Sequence, residues 1–170
     1  NFDALPEGGV KWGKVAKNGK QARARGHVFR GHSTPALDSK NRVTIQACWR
    51  RMAPDEFWVL PSFNEPCLWL LSEEAFDELN EKISTREGLN ESARQNLRRH
   101  LNYRAMCSPM DKQGRVVLPA EYVEKFSFEK EVVLVGGGNR IEAWRPGDWS
   151  SLVETNEEAV AGQMADVLGL

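Results

Sequence analysis

Two internal repeats combined into one α+β fold, with helices on the flanks, are what this chain of 170 residues predicts. Three observations point there. First, Asp38-Ser39-Lys40-Asn41-Arg42 returns 73 positions later as Asp111-Lys112-Gln113-Gly114-Arg115. Each copy runs on into an apolar stretch and an Ala, Val43-Thr44-Ile45-Gln46-Ala47 and Val116-Val117-Leu118-Pro119-Ala120. Second, Phe57-Trp58-Val59-Leu60 and Val132-Val133-Leu134-Val135, like Trp69 and Trp144, keep an offset of 75. Third, the segments between and after these blocks space their apolar residues as helices do. Self-similarity at a fixed period means one supersecondary unit used twice.

From the N-terminus, Lys11, Lys14, Lys17, Lys20, Arg23, Arg25 and Arg30 follow one another with no acid between Lys11 and Arg30. Gly and Asn punctuate this run and its apolar periodicity is poor. Residues 1–28 therefore read as a basic flexible N-terminal extension: a solvated tail, an arm that tracks phosphates, or a contact with a neighbouring subunit. The first repeat, 29–83, reads strand, turn, strand, short linker, hairpin, helix. Asp favours turn starts because its carboxylate bonds backbone amides just ahead. Asn41 and Gly114 sit where such a loop needs a left-handed residue. Asp38, Asp111, Asn41 and Gly114 are thus turn-orienting residues, and each copy should form a β-hairpin with a charged tip. The Asp–Arg pair either only pins its turn or holds the Arg out toward a ligand; as an exposed ion pair it contributes little to stability.

The hairpin through 61–65 leads into a helix predicted over 73–84, with Ser72 as N-cap, Glu73 and Glu74 in its first turn, and Phe76, Leu79 and Ile83 on one face. The linking segment 84–104 carries a second helix over 90–104, capped by Asn90. It has Ala93, Leu97, Leu101 and Ala105 on one side and Arg94, Arg98 and Arg99 on another. The second repeat, 105–153, repeats the pattern. Its Gly136-Gly137-Gly138 lies between two strands and reads as a hairpin turn, not a phosphate cradle. A C-terminal helix or tail, 154–170, continues a helical region begun near Pro146, with Val160, Met164, Val167 and Leu168 as its apolar stripe.

The formal net charge of −1 hides a split. Residues 1–52 hold eleven basic and three acidic side chains, a net of +8, and the remainder carries a net of −9. Either a basic face meets an anion, or the basic part of one chain meets the acidic part of its neighbour. Cys48, Cys67 and Cys107 are odd in number and no two stand at metal-ligand spacing, so they read as reduced structural thiols. No Walker loop and no His-Glu-x-x-His frame occurs, and neither a metal nor a cofactor is implied. No apolar run approaches the roughly 18 residues of a membrane span, and no signal-peptide core is visible. An intracellular, non-enzymatic protein is expected.

Taken together, Phe29-Arg30-Gly31, the two Asp-x-x-x-Arg segments, Pro66-Cys67-Leu68-Trp69-Leu70 and Lys130-Glu131-Val132-Val133-Leu134-Val135-Gly136 resemble the MraZ family, which belongs with the AbrB-like DNA-binding barrels. The resemblance covers about residues 29–155. Residues 1–28 lie upstream of where the family usually begins. Gln46 replaces a usual Pro and Asn41 a usual Gly. The resemblance implies an AbrB/MraZ-like swapped-hairpin β-barrel formed from two internal repeats in one chain, with both hairpin tips projecting together from one end.

It also implies a sequence-specific DNA-binding transcriptional regulator of the bacterial division and cell wall gene cluster. Such a regulator would be cytoplasmic and nucleoid-associated, and would act as a ring-like homo-oligomer on double-stranded DNA upstream of its own operon. Arg42 and Arg115 are then the candidates for base or phosphate contact, because the Arg fork can bond guanine O6 and N7 together. Lys40 and Lys112 suit phosphates, and Arg30, at the end of the basic run, joins them. Two other classes remain. One is an AbrB-type antitoxin or protein-interaction module. The other is a self-processing decarboxylase, which needs a Gly-Ser step that this sequence lacks.

Overall fold

The computed structural model describes residues 28–170, so the basic residues from Lys11 to Arg25 lie outside the described residues. The elements in chain order are β1 (His32–Ser33), β2 (Arg42–Thr44), α1 (Ala47–Arg50), β3 (Glu56–Pro61), β4 (Cys67–Leu71), α2 (Glu73–Thr85), α3 (Glu91–Arg104), β5 (Met106–Pro109), β6 (Arg115–Val117), α4 (Ala120–Lys125), β7 (Val133–Gly136), β8 (Arg140–Trp144) and α5 (Pro146–Leu168). Six strands form an antiparallel sheet in the order β1-β7-β8-β4-β3-β5, and β2 and β6 form a separate two-stranded ribbon.

Both Asp-x-x-x-Arg segments close as turns, and the second keeps the expected pairing of its own arms through the Met110–Val116 bridge; added to this is an exchange between the two halves of the chain. Before the first turn, Leu37 N–H donates to Lys130 O at 2.8 Å and Ala36 bridges Glu131. After the turn, β2 pairs with β6 rather than with its own incoming arm. In the same way β1 of the first half pairs with β7, and β5 of the second half pairs with β3. Burial explains the exchange. Val43 and Val116 are each fully buried at the middle of a three-residue strand, and pairing β2 with β6 brings both into one core.

Strand pairing does not close the sheet into a barrel. Its ends, β1 and β5, do not pair with one another. β1 is two residues long with Pro35 shortly after it, and β5 ends on Pro109. Proline offers no N–H to a ladder, which suits Pro109 to the end of an edge strand, whereas past Pro35 the first segment goes on bonding its neighbour, with Pro35 O accepting Val132 N–H at 3.1 Å. Where a plain linker was expected after each ribbon strand, the chain makes the short helices α1 and α4.

Residue alternation buries both faces of the sheet. Phe57 and Val59 of β3, Leu68 and Leu70 of β4 and Ile141 and Ala143 of β8 face the ribbon in the main core, with Phe29, Trp49, Leu118 and Tyr122. Trp49 meets Phe29 edge-on at 5.9 Å, and its Nε1–H donates to Arg30 O at 2.8 Å. On the opposite face, Leu60 and Leu71 pack against Phe76 of α2 and Leu101 of α3, with Leu79 and Ile83 at the margin. The two helix starts hold as expected: Ser72 Oγ accepts from Ala75 N–H at 3.2 Å, and Asn90 Oδ1 from Ala93 N–H at 2.8 Å. Leu97, expected on the packed side of α3, is 45 % exposed.

Gly136 lies so close to the first segment that an ideal Cβ there would stand 2.6 Å from the Arg30 nitrogen, which explains the glycine. Helix α5 is continuous through Pro146–Leu168, so residues 154–168 are helix and not a loose tail. Trp149 and Leu152 anchor it on Trp144 and Cys67. Beyond them Val160, Met164, Val167 and Leu168 stay exposed.

Candidate nucleic-acid interface

The two Asp-x-x-x-Arg tips share one geometry. In the first, Asn41 N–H donates to Asp38 O at 2.9 Å and Asp38 N–H donates to Arg42 O at 3.1 Å. In the second, Gly114 N–H donates to Asp111 O and Asp111 N–H to Arg115 O, both at 2.9 Å. Each is a three-residue loop closed by a left-handed residue, Asn41 at φ 57° and Gly114 at φ 75°.

Each Asp carboxylate is spent inside its own turn. Asp38 Oδ1 accepts the N–H groups of Lys40 and Arg42, both at 2.9 Å, and Oδ2 accepts Arg42 Nε–H at 2.7 Å. Asp111 does the same with Gln113 N–H, Arg115 N–H and Arg115 Nε–H, at 2.9, 2.9 and 2.8 Å. The Arg42 backbone N–H, helped by its guanidinium, lowers the Asp38 carboxyl from 3.8 to about 2 against a smaller opposing effect of burial. The Arg115 backbone N–H leads the same downward shift at Asp111. Both aspartates are therefore ionised near neutral pH and fix the guanidinium through Nε. The Arg42 amino groups make no hydrogen bond to any described residue, while Arg115 Nη2 donates to Gln113 Oε1 at 2.9 Å.

The ribbon sets the two arginines side by side. Its register pairs Arg42 with Val117, Val43 with Val116 and Thr44 with Arg115. Because strand side chains alternate, Arg42, Thr44, Arg115 and Val117 share one face, and Val43 and Val116 point into the core. Arg42 and Arg115 are diagonal neighbours, which on an antiparallel pair stand roughly 7–8 Å apart. Ser108 secures the edge of this ribbon: its Oγ–H donates to Val117 O at 2.7 Å and accepts Val117 N–H at 3.1 Å.

The expected placement of both tips at one end needs correction. Leu118 N–H donates to Asn41 O and Ile45 N–H to Gly114 O, at 2.7 and 2.8 Å, so the loops cap opposite ends of the ribbon. The antiparallel register forces this, and it leaves the arginines together on the exposed face. Lys40 and Lys112 are exposed in the two loops. Arg30 is also exposed but sits ahead of β1, off the ribbon; its backbone oxygen is taken by Trp49.

A protein named transcriptional regulator MraZ from Carboxydothermus hydrogenoformans is 33% identical over 144 residues, covering 83% of this chain and 99% of the relative. The chain belongs to the MraZ family. A namesake from Clostridium acetobutylicum is 34% identical over 133 residues, 78% of this chain and 90% of its own length. One from Micrococcus luteus is 30% identical over 141 residues, 83% and 97%. The family model, described as "MraZ protein, putative antitoxin-like", matches residues 103–168, which take in the second tip and all of α5.

Three residues of the exposed face escaped sequence reasoning. Thr44 and Val117 were legible from alternation once the strands are known. Arg50 was not, because it comes from α1 and reaches the other half's tip: its Nη1–H donates to Gln113 O at 3.3 Å.

Away from this face, Glu65, Cys67 and Glu142 each bring a possible ligand atom to within 4.8 Å of the others. Glu142 is committed to Arg140 at 2.8 Å and to Trp144 Nε1–H at 3.2 Å. Burial, then the charges of Glu142 and Glu65, push the Cys67 thiol up to about 12, so it stays protonated and is a poor ligand. The described cysteines are all free. Among the described residues no helix is long and apolar enough to cross a membrane.

Proposed function

We propose that this protein is a sequence-specific, DNA-binding transcriptional regulator of the bacterial division and cell wall gene cluster. In this reading, 29–83 and 105–153 are two AbrB-like repeats that exchange strands, joined by 84–104. The observation that carries it is the ribbon: Arg42 and Arg115 lie on the exposed face of a two-stranded antiparallel ribbon whose other face is core. A two-stranded ribbon fits the major groove, where an Arg fork distinguishes guanine by O6 and N7. Their diagonal spacing of roughly 7–8 Å is about two base steps of ~3.4 Å. The aspartates orient the guanidinium groups and do not touch phosphate, which would repel them. Lys40 and Lys112, at the two ends, suit the flanking phosphates, with Arg30 as a further basic contact.

Three-residue strands reach few base pairs, so tight binding calls for several linked subunits. The acidic, apolar and largely uncovered α5 supports a homo-oligomer, which this reading takes to be ring-like. An electrophoretic shift with duplex from the protein's own upstream region, against scrambled duplex, tests the DNA reading. Preference for the native duplex supports it, and equal binding or none refutes it. Light scattering tests the assembly: a monomeric mass at tens of micromolar rules out the multivalent mechanism.

The "antitoxin-like" wording of the family model favours one second reading, an antitoxin or protein-interaction module presenting α5 to a partner protein. A protein partner that binds through α5, with no DNA preference, would favour it. Under the main reading the protein acts in the cytoplasm at the nucleoid.

A further inference from the structure

The two tips share a turn, an Asp–Arg pair and one lysine, so each pentapeptide carries a net +1. Arg50 adds a cation to one tip alone. It leaves the end of α1 in the first half of the chain, is exposed, and lies over Gly114 of the second tip. A side chain at position 114 would block that path: an ideal Cβ there would meet Arg50 Cδ and stand 2.8 Å from Nε. Gly114 is buried beneath the arginine, whereas Asn41, its counterpart at the first tip, is only half-buried. The crossing has no reciprocal. At the offset of 73, Arg50 corresponds to half-buried Val123, and Arg51 to Glu124. Asn41 also carries the side chain that Gly114 lacks.

We propose that Arg50 is a specificity-determining residue: it makes the 111–115 tip a two-arginine contact for one half of a duplex site, so the ribbon binds DNA in one orientation and selects an asymmetric sequence. This rests on the DNA-binding reading above. A strictly two-fold reader matches a palindrome, since the symmetry of the site mirrors that of the protein. Here the backbone of the ribbon is close to two-fold, and the guanidinium count breaks the symmetry. The Arg50 bond to Gln113 O is long, at 3.3 Å, and goes to a neutral carbonyl. A phosphate or base acceptor, forming a stronger charge-assisted bond, can replace it at little cost.

The test uses the full chain and its Arg50→Ala, Gly114→Asn and Arg42→Ala variants. Each selects duplexes from a random pool, and affinity for the selected duplexes is then measured at several salt concentrations. The wild type should select a non-palindromic site. Arg50→Ala should lose preference at one end of that site and select a more symmetric one. If Arg50 meets a phosphate, the slope of log affinity against log salt should fall by about 0.9 for each phosphate no longer neutralised. Gly114→Asn keeps a residue that tolerates the left-handed turn, as Asn41 does, but displaces Arg50; it should reproduce the Arg50→Ala site with the arginine still present. Arg42→Ala should lose preference elsewhere in the site. If Arg50→Ala selects the same site with the same affinity and salt slope, Arg50 merely covers Gly114 and the proposal is wrong. If the wild type selects no sequence, the DNA-binding reading itself falls and takes this inference with it. Should Gly114→Asn fail to fold, Arg50→Ala, at an exposed position, decides the matter alone.

Discussion

Replacing Arg42 by Ala should strip sequence-specific DNA binding while leaving the fold in place. The side chain leaves no cavity, because it stands on the solvent face of β2 with its Nε bonded only to Asp38. The Asp38 turn keeps its two backbone bonds from Lys40 and Arg42 N–H, at 2.9 Å each, and these survive any substitution of the side chain other than proline. Unfolding should therefore shift little. Binding should shift much more. Removing a bidentate bond to guanine costs about 1–3 kcal/mol, or about 5- to 150-fold, for each ribbon engaged, and more where subunits bind together. The Asp38 carboxylate, no longer neutralised by the guanidinium, adds repulsion from nearby phosphates. Asp38→Ala combined with Arg42→Ala should consequently bind better than Arg42→Ala alone. The assay is fluorescence anisotropy on a selected and a scrambled duplex, with thermal unfolding followed by circular dichroism. Early unfolding of Arg42→Ala would show that Arg42 is a turn anchor. An equal loss on both duplexes would show that it reads phosphate and not sequence.

Acid should release the tips late. The folded Asp38 carboxyl lies at about 2 against an ordinary 3.8, so its contribution is present above pH 3.8 and is lost as the pH falls through about 2. Carbon-detected NMR titration of the Asp38 carboxyl should follow that curve, and a midpoint near the ordinary value would contradict the turn geometry. Neighbouring valines on β6 should behave oppositely in urea: Val116→Ala, fully buried, should cost at least about 1.5 kcal/mol, and Val117→Ala, on the exposed face, close to nothing. Equal effects would refute the ribbon's orientation. Deleting residues 1–26 removes the six basic side chains from Lys11 to Arg25. It should weaken selected and random DNA alike and flatten the salt dependence by about 0.9 for each phosphate the arm neutralises; an unchanged salt slope would make the arm a spectator.

Local chemistry was readable from the chain by itself. Asp38 and Asp111 cap their turns, Asn41 and Gly114 take the left-handed position, and Ser72 and Asn90 start helices, because each outcome depends on atoms within a few residues. Repetition of the pentapeptide revealed that two sites share one geometry. The decisions left to the tertiary structure were about partners. Alternation tells which face of a strand is apolar, but an apolar face is equally well buried against many neighbours. Hence the pairing of β2 with β6, which joins the two tips into one ribbon, could not be read from Val43 or Val116. The same exchange placed the tips at opposite ends of one ribbon, left the sheet open between β1 and β5, and carried Arg50 across 63 residues of sequence to Gln113. Residue type determines what each group can bond; only the packing of the two halves determined which groups came within reach.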